Sequence, residues 1–248
     1  MRRTSQENVP VKVLGAGANV LIRDDGFDGV VVRLDQPGFR RETWSGDEVE
    51  VGGGVNLMSF SKSCSENGIS GLEGLAGIPA TIGGAIRMNA GGHNGEIKDV
   101  VSEVEVVHTS GSRERLNRDQ VGFDYRRTDL KDRIVVGARL SLRRDDPQKT
   151  RLRYAENFGQ KRRTQPMAER SAGCVFKNPP GRSAGALIDQ AGLKGTVCGG
   201  ARVSARHANF IVADSTATSS DVLRLIDLIR DRVALIFGTV LRTEIEIW

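Results

Sequence analysis

The 248-residue sequence has few cysteines, few aromatic side chains and no long apolar run. Its three cysteines, Cys64, Cys174 and Cys198, have neither zinc-site spacing nor an even count, so we interpret them as reduced thiols and predict no metal site. No apolar segment approaches the length that spans a bilayer, and the basic start lacks the apolar centre of a signal peptide. We therefore expect a cytoplasmic protein with no membrane partner.

Tyrosine and tryptophan are equally scarce, with two of each. The net charge of +5 would suit a polyanionic partner, but the basic residues are scattered in short groups along the chain. Nucleic-acid-binding modules usually show a dense basic stripe together with rings that stack on bases. We expect no nucleic-acid partner, since a small phosphorylated ligand accounts for the positive charge about as well.

Glycine, by contrast, is abundant, and residues 71–92 are dense in it. Glycine permits positive φ and lets backbone N–H groups approach a ligand, and successive N–H groups form a concave anion site. Pro79 fixes one φ in this segment, the pair Gly83-Gly84 follows, and Asn89 offers an amide in a second turn. The segment predicts a phosphate or pyrophosphate site, with a tight turn between two strands as the alternative.

A second possible phosphate site lies nearer the start, where residues 11–22 predict a buried strand, a glycine turn and another apolar run. The turn contains Gly15, Gly17 and Asn19. Val20 stands where the dinucleotide fingerprint requires its third glycine, so this motif alone is weak evidence.

Hydrophobic periodicity predicts both strands and helices. Strands are predicted over residues 29–34, 48–55, 100–109, 133–144, 207–212 and 240–248, and helices over residues 56–67, 148–163, 183–191 and 219–237. The last helix has the clearest amphipathic stripe, with Thr218 and Asp221 as its predicted capping box. A break at Pro147 predicts two domains, residues 1–147 and 148–248.

Several motifs follow one another in a specific order: LGAGANVLI, GLAGIPATIGGAIRMNAGG, YRRT, SAGCVFKNP, KGTVCGGARVSARHANFIV and a last segment with Glu244. Together they resemble the compact form of the UDP-N-acetylenolpyruvoylglucosamine reductases, also called UDP-N-acetylmuramate dehydrogenases. The resemblance runs from residue 11 to the end. It implies an FAD-binding domain of the vanillyl-alcohol-oxidase type, followed by a smaller α+β substrate-binding domain. Family members carry a few dozen further N-terminal residues, so the resemblance also implies an incomplete N-terminal subdomain.

The resemblance implies reduction of the enolpyruvyl ether of UDP-N-acetylglucosamine enolpyruvate to UDP-N-acetylmuramate, in peptidoglycan precursor synthesis. Hydride would pass from NADPH to FAD, and from flavin N5 to the methylene carbon. Because this addition leaves negative charge on the neighbouring carbon and its carboxylate, the site needs a cation and a proton source. The family pattern assigns the cation to Arg126, with Arg127 as the fallback. It assigns the proton source to Cys174, where relatives usually have serine. It places Glu244 in the closing strand, to hold the substrate carboxylate or assist protonation, with Glu246 as a weaker competitor.

The same resemblance assigns the ligand-binding residues. FAD is expected at Gly15, Gly17, Asn19, Gly77, Ile78, Gly83, Gly84, Asn89, Ala90, Gly91 and Val135. The substrate is expected at Tyr125, Arg162, Arg163, Lys177 and Asn178, with the arginines pairing with the UDP pyrophosphate. His93 is interpreted as a packed or solvated residue, and the protein is expected to be a monomer.

Two alternatives remain open. One is an FAD-dependent oxidase or dehydrogenase of the same superfamily that acts on another substrate. The other is a non-catalytic protein that binds UDP-sugars or RNA, which would purify without flavin and, for RNA, bind in a salt-dependent way.

Overall fold

The computed structural model describes residues 2–92 and 94–248. The chain packs into two compact units. Unit 1 comprises the chain up to Ala16 together with Asp28–Gln160, and unit 2 comprises Gly17–Phe27 together with Lys161–Trp248. The interpretation of His93 lies outside the described residues.

The described residues form six α-helices and four 3-10 helices. The α-helices are Arg2–Gln6 (α1), Leu57–Glu66 (α2), Ile82–Arg87 (α3), Pro147–Thr164 (α4), Ala184–Gln190 (α5) and Ser219–Phe237 (α6). The 3-10 helices are Pro37–Phe39, Glu73–Leu75, Ile97–Asp99 and Arg118–Gln120.

The strands of the described residues are short, and many have only two or three residues. They are Val11–Val13 (β1), Val20–Leu21 (β2), Val30–Val32 (β3), Glu42–Ser45 (β4), Glu48–Gly52 (β5), Ile69–Ser70 (β6), Gly91–Gly92 (β7), Gly95–Glu96 (β8), Val101–His108 (β9), Arg113–Asn117 (β10), Phe123–Asp124 (β11), Arg127–Thr128 (β12), Arg133–Ser141 (β13), Arg143–Arg144 (β14), Arg170–Cys174 (β15), Val197–Cys198 (β16), Ala201–Val203 (β17), Phe210–Ala213 (β18) and Glu246–Ile247 (β19).

Unit 1 is built on a five-stranded antiparallel sheet in the order β10-β9-β13-β5-β4. Helix α3 packs against β13 and β5. Helix α2 buries the predicted face of Leu57, Phe60 and Cys64 in the same core. Its N-cap, Asn56, accepts a hydrogen bond from Ser59 N at 2.9 Å, which satisfies one of the free N–H groups at the helix start. Two-stranded pairs β1-β3, β6-β14, β7-β8 and β11-β12 complete the unit.

Unit 2 is built on a four-stranded antiparallel sheet in the order β15-β18-β17-β16, with β2 and β19 as a separate parallel pair. Helix α6 packs against this sheet and buries Leu225, Ile226, Ile229 and Val233. The predicted capping box is confirmed, because Thr218 Oγ1 accepts from Asp221 N at 3.1 Å and Asp221 Oδ2 accepts from Thr218 N at 3.0 Å. A hydrophobic stripe of this length needs one apolar partner surface, and the sheet supplies it.

The glycine-rich segment contains an element that the sequence did not predict. Residues 82–87 form α3, with Thr81 as N-cap accepting from Gly84 N at 3.2 Å. Glycine disfavours a helix interior. The short helix forms because its buried side chains, Ile82, Ala85 and Ile86, pack into the core of unit 1, and tertiary packing outweighs intrinsic propensity.

Two further predictions differ from the structure, and one element was not predicted. The closing strand predicted over residues 240–248 is limited to β19, because only those residues face a partner strand, β2. The first predicted strand is half-buried rather than buried along β1. The short helix α1 was not predicted at all. The domain boundary near Pro147 stays a prediction, while the compact units of the structure divide within α4.

Candidate functional site

The two glycine loops of the sequence meet in unit 1. A Cβ on Gly15 would lie 2.8 Å from Thr81 Oγ1, at the start of α3, so only glycine allows this approach without a shift. Within the described part of the chain, the backbone N–H groups of Gly15 and Ala16, at the start of the turn, donate no hydrogen bond. Consecutive free N–H groups are suited to an anionic ligand.

The Gly83-Gly84 pair has a different explanation. Gly83 N donates to Gly53 O at 2.8 Å, and Gly84 N donates to the Thr81 side chain. A Cβ on Gly83 would stand 2.9 Å from Val135 O and 3.0 Å from Gly53 O. Glycine is therefore required here for close packing of α3 on the sheet. The buried Val135 lies in the hydrophobic core of the same unit.

Asn89 is the most informative residue of the glycine-rich segment. It is fully buried, and its Nδ2 donates to Glu96 Oε2 and to Asp124 O, both at 3.1 Å. Both partners are acceptors, so the orientation of the amide is determined by its surroundings. Asn89 Oδ1 is buried without a partner among the described residues. Such an acceptor is costly unless a bound molecule supplies a donor.

Arg126 occupies the corner of a tight turn between β11 and β12. Its φ is 56°, in the left-handed region that non-glycine residues rarely adopt. Asp124 Oδ1 accepts from Tyr125 N at 2.7 Å at the start of the turn. The guanidinium of Arg126 lies over the Tyr125 ring, with Cζ 5.1 Å from the ring centroid. The fallback residue Arg127 is exposed and pairs with Asp124 at 2.5 Å, so the two neighbouring arginines have different environments.

The carboxylate of Glu96 lies beside Arg126, with Oε1 3.8 Å from Arg126 Nη1. Burial raises the pKa of Glu96, but hydrogen bonds from Lys98 and Asn89 and the charges of Lys98 and Arg126 lower it more. The net effect holds the pKa below its ordinary value, so Glu96 is ionised at neutral pH.

Cys174 ends β15 in unit 2, directly after Gly173, whose φ is 78°. The strand pairs with β18 through an irregular register between Ser171 and Cys174. Beyond it, the buried Asn209 clamps the next residues. Its Oδ1 accepts from Phe176 N at 2.9 Å, its Nδ2 donates to Phe176 O at 2.8 Å, and its backbone carbonyl accepts from Val175 N at 2.8 Å. The half-buried thiol of Cys174 therefore sits on a well-defined segment of chain.

Glu244 is brought to the same segment. Its N–H donates to Val175 O at 2.7 Å, and Thr243 forms an isolated bridge with Phe176. The placement of Glu244 in the closing strand is wrong, because the backbone before β19 bonds to the residues after Cys174 instead of to β2. Asn19 Nδ2 donates to Glu244 O at 3.3 Å. Asn19 thus supports the backbone of Glu244 in unit 2.

The predicted substrate residues are distributed over both units. Tyr125 is exposed on the Arg126 turn of unit 1. In unit 2, Lys177 is half-buried and its N–H donates to Arg242 O at 2.8 Å, while Asn178 Oδ1 accepts from Ala184 N at 2.9 Å at the start of α5. Arg162 and Arg163 are exposed in the last turn of α4.

Sequence reasoning missed Glu96, Asn209 and Arg206. Arg206 Nη1 donates to the carbonyl oxygens of Arg162 and Gln165 at 3.3 and 3.4 Å, at the end of α4. Burial lowers the pKa of His207, and its Nδ1 accepts from Asn209 N at 3.3 Å as a neutral ring. For Asn209 the available signal was a polar residue inside the apolar strand predicted over residues 207–212.

The described residues contain no group of three or more His, Cys, Asp or Glu side chains that could hold a metal ion. Burial raises the pKa of the Cys64 thiol to about 12, as for an inert core residue. Among the helices that the structure describes, none is both long and apolar enough to cross a membrane.

Comparisons with known proteins identify the family of the chain. Residues 1–117 match a family model described as an FAD binding domain, and residues 165–248 match the C-terminal domain of UDP-N-acetylenolpyruvoylglucosamine reductase. The chain is 42% identical to UDP-N-acetylenolpyruvoylglucosamine reductase 2 of Symbiobacterium thermophilum, over 100% of this chain and 81% of that protein. It is 39% identical to the UDP-N-acetylenolpyruvoylglucosamine reductase of Anoxybacillus flavithermus, over 97% of this chain and 80% of that protein.

A solved structure gives the same result for the fold. The chain is similar to the crystal structure of UDP-N-acetylenolpyruvylglucosamine reductase from Thermus caldophilus, with a TM-score of 0.85 and 39% identity, covering 100% of this chain and 90% of that one. The predicted fold class, an FAD-binding domain followed by a smaller α+β domain, is confirmed. The chain belongs to the UDP-N-acetylenolpyruvoylglucosamine reductase family.

Proposed function

We propose that this protein reduces UDP-N-acetylglucosamine enolpyruvate to UDP-N-acetylmuramate for peptidoglycan precursor synthesis, with NADPH as reductant and FAD as bound cofactor. The observation that carries the proposal is the likeness to reductases of this activity along 97–100% of the chain. We propose domains of residues 1–147 for FAD and 148–248 for the substrate. The protein acts as a cytoplasmic monomer without nucleic-acid or membrane partners.

The residues of unit 1 fit a flavin nucleotide. The open N–H groups around Gly15 suit an anionic group, and the buried Asn89 Oδ1 offers an acceptor for a ligand donor. Ala90 and Gly91, which follow Asn89 in the sequence, are half-buried. Ile78 is also half-buried, and Gly77 before it adopts a φ of 76°. Gly83, Gly84 and Val135, which also have clear packing roles in unit 1, belong to the proposed set. Gly17 and Asn19 of unit 2 are proposed as further FAD-binding residues.

Bound FAD would carry hydride from NADPH to the methylene carbon of the substrate. Arg126 supports the developing negative charge by donating hydrogen bonds to the substrate carboxylate. The environment of Arg126 supports this role better than that of Arg127, because Arg126 is largely shielded from solvent and Arg127 is exposed and paired with Asp124. A positioned cation in a shielded site stabilises charge more strongly than one in water.

Cys174 holds the proton that the substrate carbon receives. A thiol is a stronger acid than the serine hydroxyl that the family pattern implies at this position, so Cys174 keeps a proton donor there. Glu244 lies on the segment that bonds to the residue after Cys174 and orients the substrate carboxylate or assists the proton transfer. Tyr125, Lys177 and Asn178 contact the substrate, and Arg162 and Arg163 pair with its pyrophosphate.

An anaerobic absorbance titration tests the proposal. The purified protein is loaded with FAD, reduced with NADPH and then given the enolpyruvyl sugar. Flavin bands that bleach with NADPH and return with the sugar are the expected result. Flavin that is reduced but not reoxidised by the sugar would identify an enzyme with another substrate. Failure to retain any flavin, combined with binding of a UDP-sugar or RNA, would identify a non-catalytic binding protein.

A further inference from the structure

Arg126 is held in an unfavourable backbone conformation. A left-handed φ of 56° costs a non-glycine residue of the order of 1 kcal/mol or more, and it persists only where surrounding contacts determine it. The turn itself has only two residues between β11 and β12. A two-residue hairpin loop favours a positive φ at a central residue, and contacts from outside the turn hold the side chain that this backbone presents.

Glu96 and Asn89 provide these contacts. The Asn89 amide donates one hydrogen bond to Glu96 Oε2 and the other to Asp124 O, immediately before the turn. One buried amide therefore sets both the carboxylate and the backbone that leads into Arg126. Glu96 Oε1 then faces Arg126 Nη1 at 3.8 Å, and both side chains are about one-fifth exposed, at 20% and 19%.

Glu96 is itself strongly oriented. Its second oxygen also pairs with Lys98, and its backbone N–H donates to Asp99 Oδ2 at 2.7 Å in a capping box at the start of a 3-10 helix. A carboxylate with so many partners has few alternative rotamers. It can hold a neighbouring guanidinium in one place because its own conformational entropy is already reduced.

We propose that Glu96 is a positioning residue that holds the Arg126 guanidinium in the orientation required by the reduction step. This inference rests on the proposed function. Glu96 acts through Arg126 and does not contact the reacting atoms. A misplacement of about 1 Å in a charged group can reduce a rate by about 100-fold, so a carboxylate that fixes an arginine has a direct kinetic consequence.

The test compares Glu96→Gln with Glu105→Gln. Glu105 is a matched control, because it also lies in unit 1, is also 20% exposed and also pairs with an arginine, Arg113, at 3.6 Å. In anaerobic stopped-flow traces, Glu96→Gln should slow reoxidation of the flavin by the enolpyruvyl sugar by about 10- to 100-fold. Reduction of the flavin by NADPH should change by less than about 2-fold, and Glu105→Gln should change neither step.

A second readout needs neither flavin nor substrate. In the flavin-free protein, ¹⁵N relaxation of the Arg126 Nε–Hε group, identified with an Arg126→Lys variant, reports how rigidly the side chain is held. We expect an order parameter that falls below about 0.6 in Glu96→Gln and is unchanged in Glu105→Gln. A double variant, Glu96→Gln with Arg126→Lys, should lose little beyond Arg126→Lys alone, because the two residues act as one unit.

Equal order parameters in the wild type and Glu96→Gln would overturn the inference, as would equal losses in both half-reactions. A wild-type protein that fails to reoxidise its flavin with the sugar would defeat the proposed function instead. The relaxation measurement would still decide the positioning role in that case.

Discussion

Each unit has a buried asparagine that hydrogen-bonds to a segment with a proposed catalytic residue. The two asparagines differ in whether their side-chain oxygen has a hydrogen-bond partner. Asn209 in unit 2 uses both its side-chain oxygen and its amide group on Phe176, next to the Cys174 segment. Asn89 in unit 1 uses its amide group on Glu96 and Asp124, next to the Arg126 turn, and leaves its oxygen without a partner among the described residues.

This difference in hydrogen bonding indicates different roles for the two asparagines. A buried amide with every group satisfied stabilises the folded chain by itself. A buried amide with one open acceptor lowers the stability of the protein until a ligand supplies a donor. We therefore interpret Asn209 as a clamp of the protein and Asn89 as a residue that serves both the protein and its ligand.

Removing the thiol on the clamped segment should have the largest effect. Cys174→Ala should slow reoxidation of the flavin by the sugar by about 10²- to 10⁴-fold, because general acid catalysis is lost. Reduction by NADPH should remain normal, and Cys174→Ser should retain most of the activity because a hydroxyl also donates a proton. Normal reoxidation in the alanine variant, followed by stopped-flow absorbance, would exclude the proton-donor role.

Asn209→Ala should lower the free energy of unfolding by about 2 to 4 kcal/mol, since it leaves the buried N–H and carbonyl of Phe176 unpaired. Urea denaturation followed by circular dichroism measures this loss. Because Asn209 also positions the backbone beside Cys174, the stability loss should be accompanied by slower flavin reoxidation. An effect below about 0.5 kcal/mol would contradict the clamp.

Asn89→Ala should cost less in the flavin-free protein, about 1 kcal/mol, because the variant removes two hydrogen bonds but also one unsatisfied acceptor. With FAD in excess the gap to the wild type should widen, since ligand binding to the folded state adds stability that grows with the logarithm of the ratio of ligand concentration to Kd. Thermal unfolding at several FAD concentrations gives both values. A gap that does not depend on FAD would remove Asn89 from the cofactor site.

Glu73 can be compared with the two asparagines, because its charged side chain holds the backbone at the start of the glycine-rich segment. It accepts from Gly71 N and from Ser70 Oγ, at 2.7 and 2.9 Å, and pairs with Arg153 at 2.7 Å. Burial raises the pKa of Glu73, but backbone N–H groups and the Arg153 and Ser70 side chains outweigh it, so the net pKa lies below its ordinary value.

A lowered folded-state pKa contributes stability that is present above the ordinary glutamate value and is lost as the pH falls through the folded value. Wild-type protein should therefore lose stability on acidification below about pH 5, and Glu73→Gln should show a shallower loss over the same range. Urea midpoints measured between pH 7 and pH 3 test this smallest effect. Parallel curves for the two proteins would show that Glu73 does not contribute.

Much of the local structure could be predicted from the sequence. Helix α2 with its cap at Asn56, the charged helix α4 and the capping box of α6 all follow from residues a few positions apart. The order of the short motifs indicated the family, which the comparisons confirmed. The motif positions also indicated Arg126, Cys174 and Glu244 as candidates for the chemistry, and their roles stay proposals.

The elements that the sequence did not predict correctly share a physical cause. Helix α3 forms in a glycine-rich segment because the core of unit 1 accepts its apolar face. The segment with Glu244 leaves the predicted strand because its backbone finds partners after Cys174. In both cases distant contacts outweigh local propensity.

The sequence by itself determined helices α2, α4, α5 and α6, the capping box of α6 and the family, because these depend on short-range spacing and on the order of motifs. Only the tertiary structure decided which polar groups hold the site. The bonds from Asn89 to Asp124 and from Asn209 to Phe176 join residues 35 and 33 positions apart. Hydrogen bonds over such separations depend on how sheets and helices pack, and no local pattern encodes them.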